Sequence, residues 1–127
     1  ATADEAIVVT TPHISALRDA DKVITVLKSY EPKAVSVVVN MVRGDMIIDG
    51  EILTPKEISD ILKIPLIGIV PQDDGVFLGE RVAGGDAQKA FKLLAGNIVR
   101  GQRRIFNVTY KYHGFFGSIR RSLKKSL

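Results

Sequence analysis

Three short runs of aliphatic, mostly β-branched residues constrain the fold of this chain more than any other feature. They are AIVVT at 6–10, AVSVVV at 34–39 and PLIGIV at 65–70, and they begin roughly 30 residues apart, the length of one βαβ unit. Each run is almost continuously apolar instead of alternating, which is typical of strands buried on both faces of a parallel sheet. The runs therefore predict a parallel sheet with a helix in each connection.

Helical patterns fill these connections and follow the third run. Apolar residues recur at intervals of three and four between residues 15 and 28, which predicts a helix. The segment TPKEISDIL at 54–62 starts a second helix with a capping threonine, a proline in first position and a glutamate that completes a capping box. A further helix is predicted over 86–100. We expect it to bury five side chains, those of Ala90, Phe91, Leu94, Ile98 and Val99.

The composition limits the size and class of the protein. Its 127 residues allow one compact domain, and 46% hydrophobic and 25% charged residues are ordinary for a globular protein. Without cysteine there is no disulfide framework or thiolate metal site. Because strands this apolar need neighbours, and one begins almost at the first residue, we expect part of a larger doubly wound α/β domain. A free-standing α/β interaction module is the alternative.

Polar residues follow each predicted strand, as TTPH at 10–13, NMVR at 40–43 and PQDD at 71–74. In open α/β sheets, ligands bind at this carboxyl edge. Asn40 there either exchanges hydrogen bonds with an adenine edge or simply turns the chain. Pro71 either flanks a flat base or is an ordinary loop proline. Asp73 and Asp74 either hold a cation, accept a hydrogen bond from Arg43, or are solvated.

The sequence contains no arrangement that would catalyse a reaction unaided. There is no G-x-x-x-x-G-K-S/T loop to cradle phosphates. The two histidines, His13 and His113, form no recognisable pattern with a nucleophile. We therefore expect no catalysis by this segment alone.

The end of the chain combines an apolar stripe with positive charge. Five of the 18 basic residues lie after Tyr110, where no acid occurs, so the preceding part has 13 basic against 14 acidic residues. On a helix, the apolar side chains at 115, 116, 119, 123 and 127 would share one face, flanked by cations. Such a segment is expected to fold on anionic lipid, with two copies in a dimer binding far better than one. The alternatives are a helix packed on its own domain and a nucleic-acid-binding arm. We divide the chain into an α/β part (1–100), a linker with a short extended IFNVTY piece (101–113) and this tail (114–127).

Four segments together resemble the MinD cell-division ATPases, within the ParA/MinD group of deviant P-loop ATPases. They are ADEAIVVTTPHISALRDADKVI at 3–24, VVVNMVRGDM at 37–46, EISDILKIPLIGIVPQDDGV at 57–76 and the amphipathic end. The resemblance covers nearly all of this chain but only the C-terminal half of such a protein. The family's KGGVGKT-type loop, magnesium ligand and switch regions belong to the other half. The resemblance implies half of a doubly wound, mostly parallel P-loop NTPase domain. It also implies hydrolysis of ATP with Mg²⁺ by the intact protein, without tight nucleotide binding by this segment.

The resemblance also implies roles for individual residues. On the adenine side of the nucleotide site it places Asn40, Arg43, Pro71, Gln72, Asp73 and Val76. It places Ser15, Arg18, Asp19 and Asp21 on a helix that faces the dimer edge and MinC-like and MinE-like partners. The alternative is that these residues form a solvated face without a partner. For membrane binding it implies Phe115, Phe116, Ile119, Arg120, Arg121, Leu123, Lys124, Lys125 and Leu127. Two departures limit the comparison: the family often has an acid at the position of Gln72, and the loop at 81–89 is short.

The expected function is therefore part of a MinD-like ATPase that binds the membrane as an ATP-bound dimer and positions the division septum. Such a protein would be cytoplasmic and peripheral on the inner face of the cell membrane, with no nucleic-acid partner. A fragment of a ParA-type DNA-partitioning ATPase, whose tail would contact DNA, is the alternative from the same group.

Overall fold

The computed structural model describes residues 4–79, 85–113 and 123. The elements in chain order are β1 (Glu5–Thr10), α1 (Ile14–Lys28), β2 (Ala34–Val42), α2 (Gly44–Ile48), α3 (Pro55–Leu62), β3 (Leu66–Pro71), α4 (Asp74–Phe77), α5 (Asp86–Arg100) and a 3-10 turn at Tyr110–Tyr112. The strands form one parallel sheet in the order β1-β2-β3. The predicted βαβαβ arrangement is therefore confirmed.

Helices α1 and α3 cover the same face of this sheet. Successive right-handed crossovers in one direction place their helices on one side, and the two helices contact each other. Their buried side chains form a cluster with alternate residues of the strands, including Leu17, Ala20, Ile24, Ile58, Leu62, Val8, Val37, Val39 and Ile69. Burial of these aliphatic side chains, at about 1.5–3 kcal/mol each, holds this layer on the sheet.

The start of α3 is fixed by local hydrogen bonds. The Thr54 hydroxyl accepts from the Glu57 backbone N–H at 3.1 Å, and the Glu57 carboxylate accepts from the Thr54 N–H at 2.8 Å. Pro55 occupies the first helical position, where no backbone donor is needed. The capping box that the sequence predicts is therefore confirmed.

Helix α5 lies on the opposite face, against β3. Neighbouring residues of a strand point to opposite faces, and Ile69 belongs to the cluster under α1 and α3. Gly68 faces the other way, where a methyl group would lie 2.7 Å from Cδ1 of Leu94 in α5. Buried Asn97 fastens the helix: its side-chain N–H groups donate to the carbonyls of Ile67 and Arg104, each at 2.8 Å. Its carbonyl oxygen accepts from the Arg104 N–H at 2.9 Å.

The predicted burial along α5 is only partly correct. Ala90 is buried and Leu94 is half-buried, as expected. Phe91, Ile98 and Val99 are instead 51%, 49% and 79% exposed, so the prediction was wrong for them. The reason is that α5 contacts β3 as its main neighbour, so the side of the helix turned away from that strand meets solvent.

Residues 102–113, which we call the strap, return to the body of the protein. Phe106 and Val108 are buried in the core cluster. Within the described residues the strap adds no strand to the sheet, so the extended IFNVTY piece does not pair with it. Residues 101–113 are thus packed chain, where the sequence predicted a linker.

The predicted tail falls almost wholly outside the described residues. Leu123 is described and is exposed. The other predicted membrane-binding residues lie outside: Phe115, Phe116, Ile119, Arg120, Arg121, Lys124, Lys125 and Leu127. Among the helices of the described part, none has the length and apolarity needed to cross a membrane.

Candidate functional site

A cleft of about 240 Å³ lies where β2 and β3 end, and we call it the strand-end cleft. The ends of these strands and the residues directly after them form one side with Val42, Arg43, Gly44, Asp45, Pro71, Gln72 and Asp74. Helix α5 and the strap form the other side with Asp86, Val108, Lys111 and Tyr112. The cleft therefore joins four segments that are distant in sequence.

An ion pair organises the loop after β2. The Arg43 Nη2 donates to Asp45 Oδ2 at 2.7 Å, and the Arg43 Nε donates to Oδ1 at 3.4 Å. The Asp45 side chain is only 10% exposed, whereas that of Arg43 is 41% exposed. The hydrogen bond to Asp45 raises the pKa of Arg43 above its ordinary value, against partial burial. The pair holds a guanidinium at the cleft with its outer part in solvent.

A second ion pair holds the strap to α5. Lys111 of the strap pairs with Asp86, the first residue of α5, and the Tyr110 hydroxyl donates to the same carboxylate at 3.1 Å. Burial alone would lower the pKa of Lys111, but the hydrogen bond to Asp86 and the carboxylate's charge outweigh it and raise the pKa. Lys111 is therefore a cation in any physiological solution.

Gly44 lets the strap approach the loop after β2. A methyl group at this position would collide with the carbonyl group of Val108 and with the ring of Tyr112. Since Gly44 does not have a left-handed backbone, it is this close approach that requires glycine.

The structure brings together three of the six residues predicted for the nucleotide site. Arg43, Pro71 and Gln72 all line the strand-end cleft. Asp73 lies beside it, but its carboxylate caps α4 by accepting from Gly75 N–H at 3.0 Å and also accepts from Ala87 N–H at 3.2 Å. Arg43 is paired with Asp45 rather than with Asp73 or Asp74, so that alternative for the two acids is wrong.

The other two predicted residues lie away from the cleft. Val76 is exposed on α4 and is not part of the cleft wall. Asn40 does not end a strand, because β2 continues to Val42 through an irregularity where Met41 has a φ of 56°. Asn40 instead lines an open recess of about 650 Å³ along β1 and α1, together with Thr10 and Thr11.

Sequence reasoning missed the opposite wall as part of a site, together with Gly44 and Asp45 on the first side. Asp86 was predicted only as a helix start, and Lys111 and Tyr112 were assigned to a linker. The glycine and acid of RGDM at 43–46, directly after a strand, were a usable signal for Gly44 and Asp45. Nothing local in the strap indicates that it packs beside β2.

The residues predicted to face partners are all accessible. Ser15, Arg18, Asp19 and Asp21 are exposed on α1. Exposed Ile14 lies at the start of the same helix. This face is available to another protein, and its role stays a prediction.

The described residues contain no group of three or more His, Asp or Glu side chains that could hold a metal ion. The described lining of the strand-end cleft combines two flat groups, Pro71 and Tyr112, with the carboxylates of Asp45, Asp74 and Asp86. Among the described residues that line it, the charged groups are three acids and two bases.

No protein-family model matches the sequence. The septum site-determining protein MinD of Synechocystis sp. is 42% identical to it over 78 residues, which are 61% of this chain and 29% of that protein. A putative septum site-determining protein MinD of Nephroselmis olivacea is 33% identical over 130 residues, covering 95% of this chain and 46% of that protein. The chain thus spans less than half the length of these curated relatives.

Solved structures share the fold. The MinD cell division protein of Aquifex aeolicus gives a TM-score of 0.75 at 30% identity, covering 82% of this chain and 47% of that one. A chain of the MinC:MinD cell division protein complex from the same organism gives 0.69 at 31% identity, covering 78% and 43%.

Proposed function

Because this chain corresponds in sequence and fold to the C-terminal portion of a septum site-determining MinD protein, we propose that it is part of a MinD-like P-loop ATPase. Its share is a base-binding rim of the nucleotide site, a partner-facing helix and a membrane-binding tail. The observation that carries the proposal is the strand-end cleft, where Arg43, Pro71 and Gln72 converge at the carboxyl edge of the sheet.

The lining of the cleft supports the proposed division of labour. Two flat groups, Pro71 and Tyr112, and the carboxylates of Asp45 and Asp74 favour an uncharged base that carries an amino group. The sequence has no glycine-rich loop for phosphates. The remaining length of the relatives would hold the phosphates and Mg²⁺, which neutralises charge during phosphoryl transfer. This segment then orients the base and does not hydrolyse ATP alone.

Partner binding is proposed for the exposed face of α1. In support, a relative of the same fold is a component of the Aquifex MinC:MinD complex. The side chains of Arg18, Asp19 and Asp21 on this face are exposed and do not belong to the core cluster. The proposed partners of this face are a MinC-like protein and a MinE-like protein. A second copy of the intact protein would bind at the dimer edge beside it.

The tail at 114–127 is proposed to attach the protein peripherally to the inner face of the cell membrane. Its support is the sequence alone: an apolar stripe with flanking cations and no acid. Anionic lipid would offer about 1 kcal/mol for each nearby basic side chain. One copy then binds weakly, and an ATP-dependent dimer with two tails binds through effective concentration.

A chimera tests the assignment as a whole. This chain would replace the matching C-terminal portion of the Synechocystis MinD protein, and ATP hydrolysis and co-sedimentation with phosphatidylglycerol vesicles would be measured. We expect hydrolysis by the chimera and none by the 127-residue chain alone. A chimera ending at residue 113 should keep hydrolysis and lose vesicle binding.

Two results would contradict the proposal. Appreciable ATPase activity of the chain alone would refute the division of labour. Tail-dependent binding to DNA with no binding to vesicles would favour the DNA-partitioning alternative.

A further inference from the structure

The strap is fixed to the body at three points before the tail begins. Phe106 and Val108 are buried in the core. Tyr110 and Lys111 bind the Asp86 carboxylate. The ring of Tyr112 then lies against Gly44, and His113 alone separates this last anchored residue from the proposed tail at 114–127.

The last of these anchors is part of the ligand cleft. Lys111 and Tyr112 face the same space as Arg43, Pro71 and Gln72. From this we propose that Tyr112 and Lys111 form the second wall of the base-binding site, so that a bound base holds the strap closed. The inference rests on the proposed function, since it assigns new ligand-contacting residues to the same site.

The charges of the cleft indicate the ligand class. Arg43 is neutralised by Asp45, and Lys111 by Asp86, while Asp74 adds a further negative charge. An anion would meet no unpaired cation among these described residues. A planar, uncharged base can instead stack on the Tyr112 ring and donate its amino hydrogens to a carboxylate.

The outer part of the strap, after the buried residues Phe106 and Val108, is also suited to opening. Its outer contacts are accessible, because the Tyr110 side chain is exposed and the Lys111 side chain is about one-third exposed. Segments with few buried contacts open locally at low free energy. A ligand that binds the closed form better must shift the strap toward that form. Because this coupling is reciprocal, a change that frees the strap must lower the affinity for the ligand.

Adenosine, which has no phosphate, is the probe for the uniformly ¹⁵N-labelled 127-residue chain. We expect weak binding, on the order of millimolar, with NMR shift changes at 42–45, 71–74 and 108–112. The Tyr112 amide donates to the Thr109 carbonyl at 2.9 Å. Its protection from hydrogen exchange should rise with adenosine concentration.

Matched substitutions test whether the strap contributes to ligand binding. Tyr112→Ala should lower the affinity for adenosine at least about fivefold. Gly44→Ala should lower it similarly, because the added methyl group displaces the strap. Tyr30→Ala, at an exposed tyrosine of the chain that lies outside the cleft, should leave the affinity unchanged. Each variant would be checked for an intact spectrum in β2 and β3.

The outcomes distinguish this inference from the proposed function. Shift changes at 42–45 and 71–74 alone, with unchanged Tyr112 protection and full affinity in Tyr112→Ala, would overturn the strap's role and leave the base-binding rim standing. Changes around Asn40 and Thr10 instead would place the base in the recess along β1, and an absence of any change would refute the rim itself. In either case the second wall is refuted with it.

Discussion

The two outer strands of the sheet have the same kind of sequence and very different surroundings. β3 is covered by the α1 and α3 layer on one face and by α5 on the other, and Val70 in it is 4% exposed. In β1, Val8 and Thr10 are buried, but Ile7 and Val9 are 41% and 63% exposed. Both runs predict burial on two faces, and β3 alone of the two attains it. A continuous apolar run therefore predicts that a strand should be covered on both faces. Whether both faces are covered depends on the other elements that pack against the strand.

The candidate site also lies on the side of the sheet that is covered on both faces. The strand-end cleft, the Asn97 hydrogen bonds and the strap all lie on the covered side, with β2 and β3. The open recess lies along β1. Since the chain spans less than half of its curated relatives, we expect the exposed side of β1 to be where the rest of such a domain packs.

The largest expected effect tests whether the strap belongs to the covered side. Phe106→Ala should lower the free energy of unfolding by about 3–5 kcal/mol, because a buried aromatic ring is replaced by a cavity. Ile105→Ala, at its 40% exposed neighbour, should cost much less. Urea denaturation followed by circular dichroism measures both. Equal losses would show that the strap is not packed as described.

A smaller effect is expected where α5 is fastened to β3. Asn97→Ala removes three hydrogen bonds and should cost about 2 kcal/mol. Asn97→Asp keeps the acceptor for the Arg104 N–H and loses both donors. Hydrogen exchange of the Arg104 amide should therefore accelerate in the alanine variant and less so in the aspartate variant. An alanine variant as stable as the parent would contradict this attachment.

The fit of α5 on β3 predicts a further, smaller loss. Gly68→Ala should destabilise the protein by about 1 kcal/mol, since the new methyl group overlaps the end of the Leu94 side chain. In a double-mutant cycle, Leu94→Ala should relieve part of this cost. Strict additivity of the two free energies would show that the two residues do not touch.

The smallest effect is expected on the outer side of α5. Phe91→Ala should change the free energy of unfolding by no more than about 0.5 kcal/mol, because this ring is half exposed and the helix is held by its other face. Thermal denaturation would measure it. A loss as large as that of Phe106→Ala would mean that Phe91 is covered after all.

Local chemistry allowed much of the fold to be predicted from the sequence. The Thr54–Glu57 capping box and the three apolar runs depend on neighbouring residues, so their elements were placed correctly. Asn40 was misplaced because β2 continues past it through Met41, which has a left-handed backbone conformation. A methionine in the sequence gives no indication of such a conformation. Phe106 and Val108 are buried through contacts with distant elements that no local pattern encodes.

The same limit applies to the candidate site. Arg43, Pro71 and Gln72 follow strands directly, so the rule that ligands bind at strand ends finds them. Lys111 and Tyr112 reach the cleft only because Gly44 leaves room for the strap. Their position follows from tertiary packing and could be seen only in the folded structure.

The same substitution in the two outer strands tests the central difference most directly. Val70→Ala and Val9→Ala would be compared by urea denaturation under identical conditions. Val70→Ala should lower the free energy of unfolding by about 2 kcal/mol, and Val9→Ala should change it by no more than about 0.5 kcal/mol. Comparable losses in both variants would show that β1 is as fully covered as β3 and would contradict the account.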